Sequence, residues 1–280
     1  GIEEVKRKFF GTLYNTYSFF ALYANIDKFT YSEKEIDINE RTEIDRWIIS
    51  ELNSLILQVQ NNYEDYEPTK VARLIQDFVI NKLSNWHIRL SRRRFWKGEY
   101  NEDKISAYQT LYECLEKIAI ISAPLAPFYM DQLYKDLNSV SNKYSENCVH
   151  LSDFPKPDVT KIDTELERKM DIAQKITTMV LSLRKKERIR VRQPLQKIMI
   201  PINGKQMKSQ INSVKDILLG LSNNTRNPIF NTSLDEADKL QKQSDLPYVE
   251  SFFISFEKLK GTSKLSDPDI FSNRNLSDLI

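Results

Sequence analysis

As far as residue 186, apolar residues recur every three or four positions, the spacing of helices that bury one face. Residues 1–29 set Val5, Phe9, Leu13, Tyr17 and Phe20 on one side and predict a helix, weakened by Gly11 and abrupt at its start, as if continuing a longer chain. "TYSEKEIDINE", residues 30–40, is polar and aperiodic and reads as a linker. A second stripe, Ile44, Ile48, Leu52, Leu55, Val59 and Tyr63, predicts a helix N-capped by Thr42, with Asp45 reaching back as a capping-box acid. Pro68 breaks it. A third helix is predicted from Thr69 to about Trp96, with Val71, Ile75, Phe78, Val79, Leu83, Trp86 and Leu90 inward. A fourth, from about Asp103 to Ser122, faces Ile105, Tyr108, Leu111, Leu115, Ile118 and Ala119 inward; after "APLAPF" a short fifth runs through Leu137.

These elements predict a mainly α protein: a helical bundle over residues 41–140, with a helix and linker leading in over 1–40. Residues 141–163 read as a connection. Residues 164–280 read as a junction helix plus a small α/β element. The helix is expected from Thr164 to about Lys186 on the stripe Leu166, Met170, Ile176, Val180 and Leu183. Strand-like alternation follows at Ile189 and Val191 and again at Ile198, Ile200 and Ile202. Residues 205–221 suggest another helix and 251–259 another strand.

Charge changes the picture more than composition does. The 280 residues are 40% hydrophobic and 29% charged, ordinary for a globular chain, and six glycines are few for a Rossmann-type or barrel fold. The net charge is only +2. Residues 82–97 carry Lys82, Arg89, Arg92, Arg93, Arg94 and Lys97 with no acid, and residues 184–197 carry seven cations against Glu187. Two stretches of +6 in a chain of +2 leave the remainder at −10. Basic stripes on an acidic body are the footprint of a polyanion binder. No apolar run is long enough for a bilayer and no signal peptide is visible, so the chain reads as cytoplasmic and not membrane-bound. Asn223, Asn231 and Asn275 stand in sequons that matter only after secretion.

Catalytic chemistry is not legible. Cys114 and Cys148 show no metal-ligand spacing and read as free thiols. His87 and His150 have no sequence partner for a metal or a triad, and Asp131 and Asp136 read as a solvated helix face. No closely spaced glycines form a phosphate loop. The expectation is no catalytic residue, no metal site and no cofactor within these residues.

"LSNWHIRLSRRRFW", residues 83–96, resembles the anticodon-binding helical domain of isoleucyl-tRNA synthetases, with its Leu-Ser/Thr-Asn-Trp-Tyr-Val-Arg…Arg-Arg-Arg pattern. "NTYSFFALYAN" is similar to the helix entering that domain, "DRWIISELNSLI" to its first bundle helix, and "ISAPLAPFYMDQLYKDL" to the Leu-Ala-Pro-Phe segment shared with the valyl and leucyl enzymes. "VHLSDFP" and "IRVRQPLQKIMIPI" resemble the junction after the bundle. The resemblance covers about residues 2–218. His87 stands where the family usually has Tyr, and the adenylate-forming signatures His-Ile-Gly-His and Lys-Met-Ser-Lys-Ser are absent. The resemblance therefore implies a tRNA-binding carboxy-terminal piece of an isoleucine–tRNA ligase, a monomer whose partner is tRNA(Ile). ATP and Mg would serve the catalytic part, outside these residues.

An anticodon loop offers splayed bases and phosphates, which arginine forks and aromatic faces can hold. The residues expected to bind RNA are Arg89, Arg92, Arg94, Trp96 and Lys97, with Arg184, Lys185, Lys186, Arg188, Arg190 and Arg192 as a second basic surface. Trp47 and Trp86 are expected to be structural. Arg93 follows Trp86 by seven residues, nearly the same face of an α-helix, so Arg93 is expected to turn inward and pair with Asp45. Two other readings stay open: the same region of a valyl- or leucyl-tRNA synthetase, and a helical scaffold whose basic patches meet acidic protein partners.

Overall fold

The computed structural model describes residues 1–97, 99–191, 198–199, 209, 211–212, 214 and 255–256. They are mainly helical and fall into two compact units, Gly1–Glu167 and the residues from Arg168 onward. The first unit is built from α1 (Ile2–Val5), α2 (Gly11–Asp27), α3 (Glu43–Glu64), α4 (Pro68–Asp77), α5 (Arg89–Trp96), α6 (Glu102–Ser122) and α7 (Pro127–Ser141). α8 (Thr164–Lys186) begins in it and continues into the second unit.

α6 is the central helix. Its residues 106–112 are buried without a break, because α3, α5, α2 and α7 pack around it. Asn101 caps it by accepting the Lys104 amide at 3.0 Å, and Glu102 and Asp103 suit the positive end of the helix dipole. The "APLAPF" break is a turn, and Pro127 opens α7 as Pro68 opens α4, at a position where no backbone N–H is needed. α2 is a full member of the bundle: Leu13, Phe20 and Ala24 are buried, and Phe20 meets Tyr108 and Tyr112 of α6 edge-on or tilted. The stretch 30–40 is more than a linker. Gln109 of α6 accepts the Ile36 amide at 3.0 Å and donates to the Lys34 carbonyl, and buried Arg41 donates to Thr110 at 3.0 Å. The connection after α7 is likewise pinned, with the Asp158 amide on Asn53 and the Asp163 amide on Ser50.

The third predicted helix is one continuous rod with a change of winding. Between α4 and α5, residues Phe78–Ile88 are π-helical, and Lys6–Phe10 form a second such stretch between α1 and α2. π-Helical hydrogen bonds span five residues instead of four, so each residue turns through a smaller angle. A side chain beyond Phe78–Ile88 therefore reaches a given face later in the sequence than uniform α-helical counting predicts.

In the second unit, the α8 stripe Met170, Ala173, Ile176 and Val180 is buried. The helix ends with Arg188 in the left-handed region (φ 54°); the Ile189 amide donates to Arg184 O at 2.8 Å and the Arg188 amide to Lys185 O at 3.2 Å. This is a Schellman-type stop, so the Ile189–Val191 alternation is a turn and not a strand. Ile198–Met199 pair antiparallel with Ser255–Phe256. The expected small α/β element is not shown by this pairing: most of 205–221 and 251–259 lies outside the described residues.

Candidate nucleic-acid interface

The outer face of α5 is basic. Arg89, Arg92, Arg93 and Trp96 follow one another at the 0, 3, 4, 7 spacing of a single α-helical face, and all are exposed, as is Lys97. Trp96 is 53% exposed. Among the described residues none of Arg89, Arg92, Arg93 and Lys97 has an acidic partner within ion-pair distance. Arg92 leans on a neighbour, its guanidinium carbon 5.9 Å from the Phe19 ring centroid. Arg93 sits in the last turn, where a cation complements the helix dipole.

The inner face anchors this display. Phe95 is buried between Phe19 and Tyr108, with both ring centroids at 5.1 Å. Trp86 is buried in the preceding π stretch, and Trp47 of α3 is wholly buried, its indole donating to Glu51 at 3.2 Å. Glu51 also pairs with Lys82. Burial pushes the Glu51 carboxyl above the usual range, and Lys82 only partly offsets this.

At the centre lies Asp45, 0% exposed. Arg94 grips it with both nitrogens, Nη1 to Oδ1 at 2.9 Å and Nη2 to Oδ2 at 2.8 Å, the bidentate geometry that makes arginine–carboxylate pairs strong. His87 Nε2 lies 3.1 Å from Oδ1, and the Thr42 hydroxyl donates to Oδ2 at 2.9 Å. Arg94 also pairs with Asp103 of α6 at 2.9 Å. Burial alone would raise the Asp45 carboxyl; the hydrogen bonds from His87 and Arg94, with the Arg94 charge, overcome it and hold the group well below the usual carboxylate range.

This geometry corrects two expectations. The inward arginine is Arg94 and not Arg93: the π winding of Phe78–Ile88 delays the face, so the residue eight after Trp86 arrives where the seventh was expected. Asp45 does not cap α3. Thr42 is the N-cap, but its hydroxyl donates to Asp45 while that carboxylate accepts from Arg94. His87, read as a residue without a metal or triad, is fully buried and packs its ring nitrogen against Asp45, a contact that the sequence did not reveal. The signal that could have revealed this was the unpartnered Asp45 within an apolar stretch and a histidine four residues after Leu83.

The second basic stretch is also divided by the fold. Arg184 is buried and donates to the Arg190 carbonyl at 3.0 Å, so it holds the α8 stop and is not displayed for RNA. Lys185, Lys186, Arg188 and Arg190 are exposed; Arg192 lies outside the described residues. No described helix is long and apolar enough to cross a membrane.

Residues 45–199 match the family described as the anticodon-binding domain of tRNA ligase. The chain belongs to that family. It is 59% identical over 218 residues to an isoleucine–tRNA ligase of Cytophaga hutchinsonii, covering 78% of this chain and 20% of that protein. The isoleucine–tRNA ligase of Bacteroides thetaiotaomicron is 57% identical over 219 residues, 78% of this chain and 19% of its own length. That of Dehalococcoides mccartyi is 46% identical over 199 residues, 71% of this chain and 19% of its own. The chain thus spans about a fifth of the length of the curated relatives it matches. The matched span 45–199 begins at Asp45 itself and includes all of α5, so the family's defining region contains both the buried pair and the exposed arginine face.

Proposed function

We propose that the chain is the tRNA-binding region of an isoleucine–tRNA ligase and that it holds the anticodon stem-loop of tRNA(Ile) on the outer face of α5. The observation that carries this reading is the row Arg89, Arg92, Arg93 and Trp96: three guanidiniums without an acidic partner among the described residues and an exposed tryptophan on one helical face. Guanidiniums bind phosphate bidentately and stack on bases, and an indole offers a platform for an unpaired base. Lys97 extends the face, and Lys185, Lys186, Arg188 and Arg190 follow the backbone elsewhere. Arg94 shapes the face from within. Isoleucylation with ATP and Mg belongs to the rest of the enzyme, which acts as a cytoplasmic monomer.

The test is a shift assay with tRNA(Ile) beside an unrelated tRNA, at several salt concentrations. Binding that prefers tRNA(Ile) and weakens steeply with salt is expected. Equal, salt-insensitive binding of both, or none, contradicts the reading.

A further inference from the structure

Away from the basic face, at the far end of the bundle, the chain leaving α7 folds back on that helix. The Val149 amide donates to Asp131 Oδ1 at 3.0 Å, which fixes the carboxylate and seats the short 3-10 turn Val149–Leu151 beside it. The seating brings the Cys148 thiol, the His150 imidazole and the Asp131 carboxylate together, with one ligand atom of each within 4.8 Å of the others. The cluster is not legible in the sequence, since Cys148 and His150 are two residues apart on a turn while Asp131 comes from the preceding helix. The 4.8 Å limit leaves room to close to the roughly 3.5 Å between ligands around one tetrahedral zinc with bonds of about 2.0–2.3 Å. His150 is exposed, so its ring has room to close the gap.

We infer that Asp131, Cys148 and His150 form a binding site for a divalent transition metal of the zinc type. The donor set argues for that class: a thiolate and an imidazole select a borderline-soft ion over magnesium or calcium, which take oxygen ligands. Three protein ligands, one of them exposed, leave a coordination position open to solvent. Binding releases the Cys148 thiol proton to the buffer, because the metal takes the thiolate, while His150 binds as neutral imidazole. The thiolate and Asp131 then balance the dication. The Val149 amide orients the carboxylate from behind, as outer-shell donors do at metal centres. Lys135, one turn along α7, pairs with Asp131 at 2.6 Å and competes with the ion. The bound metal staples the connection after α7 to the helix it left.

Cobalt(II) is the probe, titrated into the whole 280-residue chain under reducing, metal-free conditions. The expected result is one cobalt per chain, a thiolate-to-cobalt charge-transfer band, displacement by zinc, and a melting temperature that rises with zinc. Cys148→Ser abolishes the charge-transfer band, whereas Cys114→Ser, at the buried second thiol, leaves it intact. His150→Ala, at an exposed position that the fold does not need, weakens cobalt at least tenfold. Lys135→Ala frees the carboxylate and tightens cobalt severalfold. The site is overturned if no charge-transfer band appears, if the band survives Cys148→Ser, or if His150→Ala binds cobalt like the parent. It is also overturned if Lys135→Ala fails to tighten binding, since Asp131 is then not a ligand.

Discussion

Residues 82–97 and 184–197 each carry +6, yet the fold treats their cations differently. In the first stretch two cations turn inward to carboxylates of α3, Lys82 to Glu51 and Arg94 to Asp45, and the others stand in a row beside exposed Trp96. In the second, Arg184 turns inward to a carbonyl and the exposed cations surround a helix stop with no aromatic residue among them. The first surface sets guanidiniums beside an exposed tryptophan; the second sets out cations alone. Which arginine faces out is decided by backbone winding and not by local sequence, since the three arginines 92–94 are chemically identical neighbours.

The largest expected effect comes from breaking the inner pair. Arg94→Ala leaves Asp45 buried with His87, Thr42 and the more distant Ser106 hydroxyl but no full cationic partner, and loss of one partner of a buried pair costs about 3–5 kcal/mol. For a unit of this size each kcal/mol lowers Tm by about 2–4 °C, so a fall of about 10 °C is expected in a thermal melt. Acid sharpens the same contrast. The Asp45 carboxyl lies below its unfolded value, so the pair's stabilisation is fully present above the unfolded aspartate pKa of about 3.9 and is lost as pH falls through the lower folded value. The gap in urea midpoint between the parent and Asp45→Asn should therefore narrow as pH falls below about 4. A gap that widens in acid contradicts the assignment.

Next in size is the outer row. Replacing Arg89, Arg92 and Arg93 together by Ala should reduce the slope of log affinity against log salt by about 2–3, at about 0.7–0.9 per phosphate contact, in a tRNA titration. Trp96→Ala should cost about 1–3 kcal/mol of tRNA binding if the indole stacks a base, without changing the salt slope. Smallest is the second stretch. Lys185→Ala with Lys186→Ala should weaken tRNA(Ile) and an unrelated tRNA equally, because phosphate contacts carry no sequence information. A selective loss for tRNA(Ile) would place base recognition there instead.

Much of the bundle was legible in the sequence, because stripes such as Ile48, Leu52, Leu55 and Val59 have one periodic solution and Pro68 and Pro127 mark helix starts. The basic face was legible as charge. Its orientation was not: periodicity assumes uniform winding, and the π stretch Phe78–Ile88 has no composition that distinguishes it from α-helix. The Asp45–His87–Arg94 knot was half legible, since a buried cation needed a carboxylate and Asp45 was within reach, but counting at α-helical pitch named the wrong arginine. The Asp131, Cys148 and His150 cluster was invisible because a turn, set by the Val149 amide on Asp131, assembles it across elements. The packing of 30–40 was hidden for a similar reason: its anchors, Gln109 and Thr110, are polar residues of a helix read only by its apolar face.

The most direct measurement takes Arg93→Ala and Arg94→Ala through the same two assays, a thermal melt and a tRNA(Ile) titration at low salt. Arg94→Ala should melt about 10 °C below the parent. Arg93→Ala should melt within about 2 °C of it, as surface substitutions do, and bind tRNA(Ile) more weakly with a shallower salt dependence. If Arg94→Ala melts like the parent, or Arg93→Ala binds tRNA(Ile) like the parent, the division between an inner arginine that holds the fold and an outer row that meets RNA is contradicted.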